Sequence, residues 1–397
     1  MISSSNIVIT AAKRTPIGAF QGQFAGVRAV ELGAAAVHAA VAQAGVAPEQ
    51  VDELILGCVL PAGQGQAPAR QVALAAGLPQ ATACSTLNKV CGSGMKAVML
   101  AHDMIRAGSA QIIVAGGMES MSRAPHLIEA RAGIRYGNAS LIDHMAWDGL
   151  SNAYDGKAMG EFGELCAAHY QFERRQQDAY ALESVRRAQA TQAAGAFAEE
   201  IVPVSVSTRK GAQIVDADEG PRLAQPEKIP QLKPAFLREG GTITAASSSS
   251  ISDGAAALVL ASSDSARQQG LLPLARIVAH ASHSQAPEWF TTAPVGAIRQ
   301  LLARIGWRTE DVDLYEINEA FAVVTMAAIQ ELDLDPAQVN VEGGACALGH
   351  PIGASGARIL VTLLYALRRR GLKRGVAALC IGGGEATAIA IELMDGV

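Results

Sequence analysis

The amino-acid sequence repeats itself once. Val51-Asp52-Glu53-Leu54-Ile55-Leu56-Gly57 is echoed by Val312-Asp313-Leu314-Tyr315-Glu316-Ile317-Asn318, and Ser93-Gly94-Met95-Lys96 by Ser355-Gly356-Ala357-Arg358. Ile112-Ile113-Val114-Ala115-Gly116-Gly117-Met118-Glu119 is echoed in turn by Leu379-Cys380-Ile381-Gly382-Gly383-Gly384-Glu385. One such match arises by chance, but three in the same order imply a duplicated unit, and a unit this long is too large for a solenoid. Within the units, short apolar runs at 7–10, 54–57, 111–115, 257–260, 314–317 and 377–381 read as strands. They alternate with helical stretches at 30–44, 70–76, 95–105, 174–194, 295–305, 320–332 and 354–370. Strands separated by helices predict an α/β protein made of two duplicated halves.

Residues 120–241 break the pattern. They hold Gly133, Gly137, Gly149, Gly156 and Gly160, a charged helix from Arg174 and a polar, Pro-containing stretch over 216–234. Such a segment reads as an inserted loop domain with a functional or oligomerising role. The layout expected is therefore an N-terminal α/β half over 1–119, the insertion over 120–241, completion of the first half over 242–270 and a C-terminal half over 271–397. The small-residue stretch 242–253, with Ser247-Ser248-Ser249-Ser250, is either a turn or a place where a ligand backbone approaches closely.

Composition narrows the function. Half of the 397 residues are hydrophobic, enough for a large core, yet only 4% are aromatic, so part of the apolar surface is expected in subunit contacts. A net charge of −5 with no aromatic-interleaved basic cluster argues against nucleic acid. No apolar stretch reaches membrane-spanning length without Gly, Pro or charge, and the short polar start 1–6 leaves no room for a targeting peptide before the first strand. The end, Leu393-Met394-Asp395-Gly396-Val397, carries no peroxisomal or lipidation signal. Six cysteines without CxxC spacing argue against a disulfide framework or a zinc site and fit a reducing, cytoplasmic setting.

Four places carry chemistry. Cys91, in Asn88-Lys89-Val90-Cys91-Gly92-Ser93-Gly94, stands where a helix begins. Helix-start N–H groups facing the sulfur would lower its pKa and make it a nucleophile; a buried inert thiol is the competing reading. His350 is fixed between Gly349 and Pro351 ahead of a helix, placed like a general base, although a lone histidine is more often structural. Cys380 ends an apolar strand before Gly382-Gly383-Gly384, and α/β sheets bind ligands beyond the carboxyl ends of their strands. The glycines leave N–H groups free to meet an oxyanion. Asn318, where a strand turns into a helix, reads alone as an N-cap.

Together, Val90-Cys91-Gly92-Ser93-Gly94, Asn318-Glu319-Ala320-Phe321, Gly349-His350-Pro351-Ile352-Gly353 and Cys380-Ile381-Gly382-Gly383-Gly384 resemble the thiolase family, in particular its acetyl-CoA acetyltransferases. The resemblance runs from Ala11-Ala12-Lys13-Arg14-Thr15-Pro16 to the last strand. It implies the thiolase-like fold, five layers in the order α-β-α-β-α, and a reversible Claisen condensation of two acetyl-CoA to acetoacetyl-CoA in short-chain acyl-CoA and fatty acid metabolism. Cys91 would carry the acyl group, His350 would take its proton, and Cys380 would move the α-proton of the second acyl-CoA. Asn318 would orient a water beside the enolate oxygen, and the N–H groups of Cys91 and Gly382 would face the tetrahedral intermediate. Ser249, Arg222, Met159 and Phe321 would contact coenzyme A, which is substrate and product rather than cofactor; no metal is implied. The segment from Gly116 to about His144 resembles the family's dimer contact and tetramerisation loop, implying a homotetramer.

Several positions depart from the family pattern. Ala158-Met159-Gly160 stands where His-Met-Gly is common, Ser247 where Asn is usual, Glu342 where Asn precedes Gly343-Gly344, and 287–294 differs from the Met-Gly loop of typical acetoacetyl-CoA enzymes. These bear on acyl-chain length, so a degradative 3-ketoacyl-CoA thiolase is the second reading. A non-catalytic coenzyme A-binding scaffold would not need Cys91, His350 and Cys380 together, and a decarboxylating condensing enzyme would not need the second cysteine.

Overall fold

The structure is a computed structural model and describes residues 6–394 apart from 132, 135 and 210. The first half holds β1 (Ile7–Arg14), α1 (Ala29–Ala44), β2 (Glu53–Gly57), α2 (Pro68–Ala75), β3 (Ala83–Leu87), α3 (Ser93–Ala107) and β4 (Ile112–Ser120). The insertion follows with α4 (Met159–Tyr170), α5 (Arg174–Ala193) and the hairpin of Val204–Thr208 with Gly211–Val215. β5 (Ser252–Ser262) then returns to the first sheet. The second half holds β6 (Ala275–Ser284), α6 (Ala293–Ile305), β7 (Leu314–Ile317), α7 (Ala322–Leu332), α8 (Ser355–Arg370), β8 (Arg374–Ile381) and β9 (Glu385–Leu393).

The repeat in the sequence is a repeat of topology. The first sheet runs β3-β2-β4-β5-β1 and the second β7-β8-β9-β6. In each, one parallel pair (β2 with β4, β7 with β8) is followed by two antiparallel pairs. Where β3 flanks the first sheet, the second has a single parallel bridge from Tyr315 to Val339. Among the described residues, the sheets join where Ile7, Val8 and Ile9 pair with Ile277, Arg276 and Ala275.

Burial on both faces explains the unbroken apolar strands. In β4, Ile112 and Val114 pack on the core formed with α1 and α2, while Ile113 and Ala115 face a central core with α3 and α8. A third core lies between the second sheet, α6 and α7. α3 and α8 therefore form the middle layer of five, and every residue of α8 from Ser355 to Leu367 is buried, as a helix covered on all sides must be. The expected α-β-α-β-α order is present. The insertion's α4 packs against α7 through Phe162, Cys166, Phe321 and Val324, and this cluster includes Cys380. No helix among the described residues is long and apolar enough to cross a membrane.

Candidate active site

The two middle helices begin side by side. A Cβ on Gly356 of α8 would lie 2.4 Å from the Met95 N of α3, and one on Gly94 would lie 2.9 Å from the Ala357 N, so only glycine allows this backbone contact. The loops ahead of these helices carry Cys91 and His350.

Cys91 follows Val90, a β-branched residue held at φ 46, a conformation that costs about 1–3 kcal/mol. Neighbouring bonds enforce it. Val90 N donates to Asn88 Oδ1 at 2.8 Å, Ser93 Oγ donates to Val90 O at 2.6 Å, and Gly92 N donates to Lys89 O at 3.0 Å. Lys89 Nζ also pairs with Glu385 Oε2 at 2.6 Å, tying the turn to the other half. The expected lowering of the Cys91 pKa is not found. α3 starts at Ser93, and the N–H groups that bond the sulfur are those of Gly382 and Cys91 itself. Burial outweighs them and pushes the thiol up to about 11. Cys91 therefore rests as a thiol and needs a base.

His350 has the form of one. Ser355 Oγ donates to Pro351 O at 3.0 Å, so the 2.5 Å contact between that oxygen and His350 Nδ1 must use the ring N–H as donor. Nε2 is then the bare acceptor, and it is buried without a partner among the described residues. Burial, aided by the nearby charge of Arg358, pushes His350 down to about 3 and keeps it neutral. Glu119 braces the loop, accepting from Gly353 N at 3.0 Å, Val59 N at 2.9 Å and Leu60 N at 3.2 Å; burial raises its pKa to about 7.

Asn318 directly follows β7, and its Oδ1 and Nδ2 are also buried without a partner among the described residues. An unpartnered buried polar atom costs about 1–3 kcal/mol, so a fold keeps such atoms chiefly where function uses them. The neighbouring carboxylate is fully engaged: Glu319 accepts from Tyr180 OH at 2.9 Å, Ser184 Oγ at 2.7 Å, Asn340 Nδ2 at 2.9 Å and Cys346 N at 3.0 Å. That network fixes the backbone carrying Asn318. Cys380 is 1% exposed, and burial first, then the proximity of Cys91, drives its pKa well above the ordinary thiol range. It is a weak acid and, once deprotonated, a strong base.

A cavity of about 530 Å³ lies beside Cys91, bounded by its neighbour Val90, by Gly382 and Gly383, and by Trp147, Asn152, Tyr154 and Met159 of the insertion. A second, of about 660 Å³, shares Asn152 and Tyr154 and extends to Phe162, Leu237 and Glu288. Both are of small-ligand size.

The remaining sequence-predicted positions are dispersed. Met159 lines the first cavity, its Sδ 3.6 Å from a Cβ built on Gly382. Phe321 packs edge-on against Phe236 at 5.7 Å, and Ser249 donates through N and Oγ to Ala320 O at 3.0 and 3.1 Å. Arg222 is exposed on the short helix Glu219–Leu223, 3.9 Å from Glu219, and is not among the residues bounding either cavity. Of the departures, Ser247 is buried in a turn with Thr244, and Glu342 turns to Arg369 and Arg370 at 3.4 and 3.8 Å. Ala158 caps α4, its N–H donating to Glu161 at 3.1 Å. Sequence reasoning missed Ser355, Glu119 and the Trp147–Tyr154 wall. Ser355 had a signal, since it occupies the place of Ser93 in the repeat.

Family models fit this arrangement over nearly the whole chain: the thiolase N-terminal domain over residues 7–264 and the thiolase C-terminal domain over 271–393. This chain belongs to the thiolase family. It is 50% identical over 396 residues to acetyl-CoA acetyltransferase 2 of Arabidopsis thaliana, covering 99% of this thiolase and 98% of that protein. It is 49% identical to an acetyl-CoA acetyltransferase of Rhizobium meliloti, over 98% of this chain and 100% of the other. Its fold matches the Acat5 thiolase of Ascaris suum, solved in complex with coenzyme A, with TM-score 0.93 and 44% identity over 98% and 100% of the two chains.

Proposed function

We propose that this thiolase catalyses the reversible condensation of two acetyl-CoA to acetoacetyl-CoA and coenzyme A through an acetyl group carried on Cys91. The observation that carries the reading is a thiol on a strained turn with a second buried thiol beside it; three buried polar atoms without a partner among the described residues, His350 Nε2 and the Asn318 amide pair, support it. The relatives named above as acetyl-CoA acetyltransferases support the substrate.

The proton count closes. Cys91 passes its proton to His350 Nε2 and attacks the acetyl-CoA carbonyl, and the N–H groups of Cys91 and Gly382 receive the oxyanion. As the C–S bond to coenzyme A breaks, the departing thiolate takes the proton of Cys380. Cys380, now a thiolate, removes the α-proton of a second acetyl-CoA, whose enolate oxygen is met by protonated His350 and a water on Asn318. The enolate carbon attacks the acetyl group on Cys91; the Cys91 sulfur leaves and regains its proton from His350. Coenzyme A enters as substrate, and no step calls for a further cofactor or a metal.

A homotetramer in a reducing, cytoplasmic setting fits this reading. The first sheet ends in β3, none of whose residues is buried, and Ile128, Ile134, Leu141 and Trp147 stand exposed in the insertion. Both are surfaces that a subunit contact would cover.

The test is thiolysis across 3-ketoacyl-CoA chain lengths. Acetoacetyl-CoA is expected to have the highest kcat/KM, falling as the chain grows; a higher value for a longer chain would replace this reading with a degradative one.

A further inference from the structure

We propose that His102, Asp103 and His280 form a binding site for one divalent transition-metal ion of the zinc class, joining the two duplicated halves of the chain. His102 and Asp103 lie toward the C-terminal end of α3 and His280 in β6, so each half contributes. Asp103 Oδ1 is 3.0 Å from His102 Nδ1 and 2.9 Å from His280 Nε2, and the ligand atoms of all three residues lie within 4.8 Å of one another. The two imidazoles stand 5.0 Å apart at 89°, presenting ring edges rather than faces to the carboxylate.

The chemistry of the set selects the ion. Two imidazole nitrogens and one carboxylate oxygen suit zinc, cobalt or nickel, whereas magnesium and calcium prefer all-oxygen sites. With metal–ligand bonds of about 2.0–2.2 Å, donor atoms around a tetrahedral ion stand roughly 3.3 Å apart, so the two Asp103 pairs need to open by only a few tenths of an ångström, while the two imidazole nitrogens already lie within 4.8 Å of each other. His102 is buried, the His280 side chain is 13% exposed and that of Asp103 is 53% exposed, which leaves access for the ion and room for a solvent ligand in the fourth position. Backbone support is present too, with Arg304 donating to His280 O at 2.6 Å. Nine residues of helix separate Ser93 from His102, about 14 Å at the α-helical rise, so the ion would act on the joint between the halves and not on the reacting sulfurs.

Co2+ titration of the full chain tests the site, because an N/O-bound cobalt ion shows visible d–d bands whereas cobalt on the six cysteines adds thiolate charge-transfer absorption. One equivalent is expected to bind with d–d bands alone, Zn2+ is expected to displace it, and Zn2+ should raise the melting temperature. His280→Gln and, separately, Asp103→Asn should weaken Co2+ binding by about tenfold or more while acetoacetyl-CoA thiolysis stays within about twofold, which shows each variant folded. Failure of the parent chain to bind, a thiolate charge-transfer spectrum, or variant affinities equal to the parent's would each overturn the proposal. If thiolysis itself is absent from the parent chain, the near-UV dichroism of the variants reports folding instead, and the cobalt result stands apart from the functional reading.

Discussion

The two duplicated halves open their central helices with the same residue and use it differently. Ser93 in the first half donates to Val90 O and accepts from Lys89 N at 2.8 Å, locking the turn that carries Cys91. Ser355 in the second half donates to Pro351 O and accepts from the His350 ring, setting which nitrogen of the base is bare. One half thus stores backbone strain beneath a nucleophile, while the other fixes a tautomer. The corresponding loops of the two halves place Cys91 and His350 ahead of two helices that touch at Gly94 and Gly356. The asymmetry continues outward, since Asn318, Cys380 and Gly382 all belong to the second half. In the proposed mechanism the first half supplies the atom that forms the covalent bond, and the second supplies the groups that move protons and meet negative charge.

Substitutions can break this division of labour. Cys91→Ala should lower kcat for acetoacetyl-CoA thiolysis by at least about 10⁴-fold, because no other group takes over bond formation. His350→Ala should cost about 10³-fold in steady-state assays, within the range of a general base. Asn318→Ala should cost about 10²-fold in kcat with a smaller change in KM, since its amide acts on charge that develops during reaction. The pH profile sharpens the first half's role: alkylation of Cys91 by iodoacetamide should rise about tenfold per pH unit from pH 8 to 10, as expected for a thiol held at about 11. A plateau near the ordinary cysteine pKa would contradict the burial argument. The smallest effects separate the two serines. Ser355→Ala should lower kcat about tenfold, whereas Ser93→Ala should lower it less, and each should lower unfolding stability by about 1–2 kcal/mol, read by urea titration, because each leaves two hydrogen-bond partners unpaired.

Much of the fold was legible because it rests on patterns that persist along the chain. The helix expected at 174–194 runs from Arg174 to Ala193, and that expected at 354–370 from Ser355 to Arg370. The chemically loaded side chains were legible because Gly and Pro flank them and because the repeat placed their loops in corresponding positions. Four things were not. Local sequence suggested a helix start that would acidify Cys91, but the structure buries the sulfur and turns the Gly382 N–H toward it, a contact across the halves that no local pattern encodes. The strain at Val90 arises from bonds to Asn88 and Ser93 that depend on the finished turn. The cavity wall over Trp147–Tyr154 comes from the insertion, whose position over the site is fixed by α4 packing on α7. The His102–Asp103–His280 group was invisible for the same reason, since its members meet only when the halves close.

The central claim is that the first half carries the acyl group and the second half manages the protons. Mass spectrometry of the peptides after brief mixing with acetyl-CoA and acid quench tests it most directly. The account predicts one acetyl group on the Cys91 peptide and none on the Cys380 peptide; acetyl on Cys380, or on neither cysteine, would contradict it.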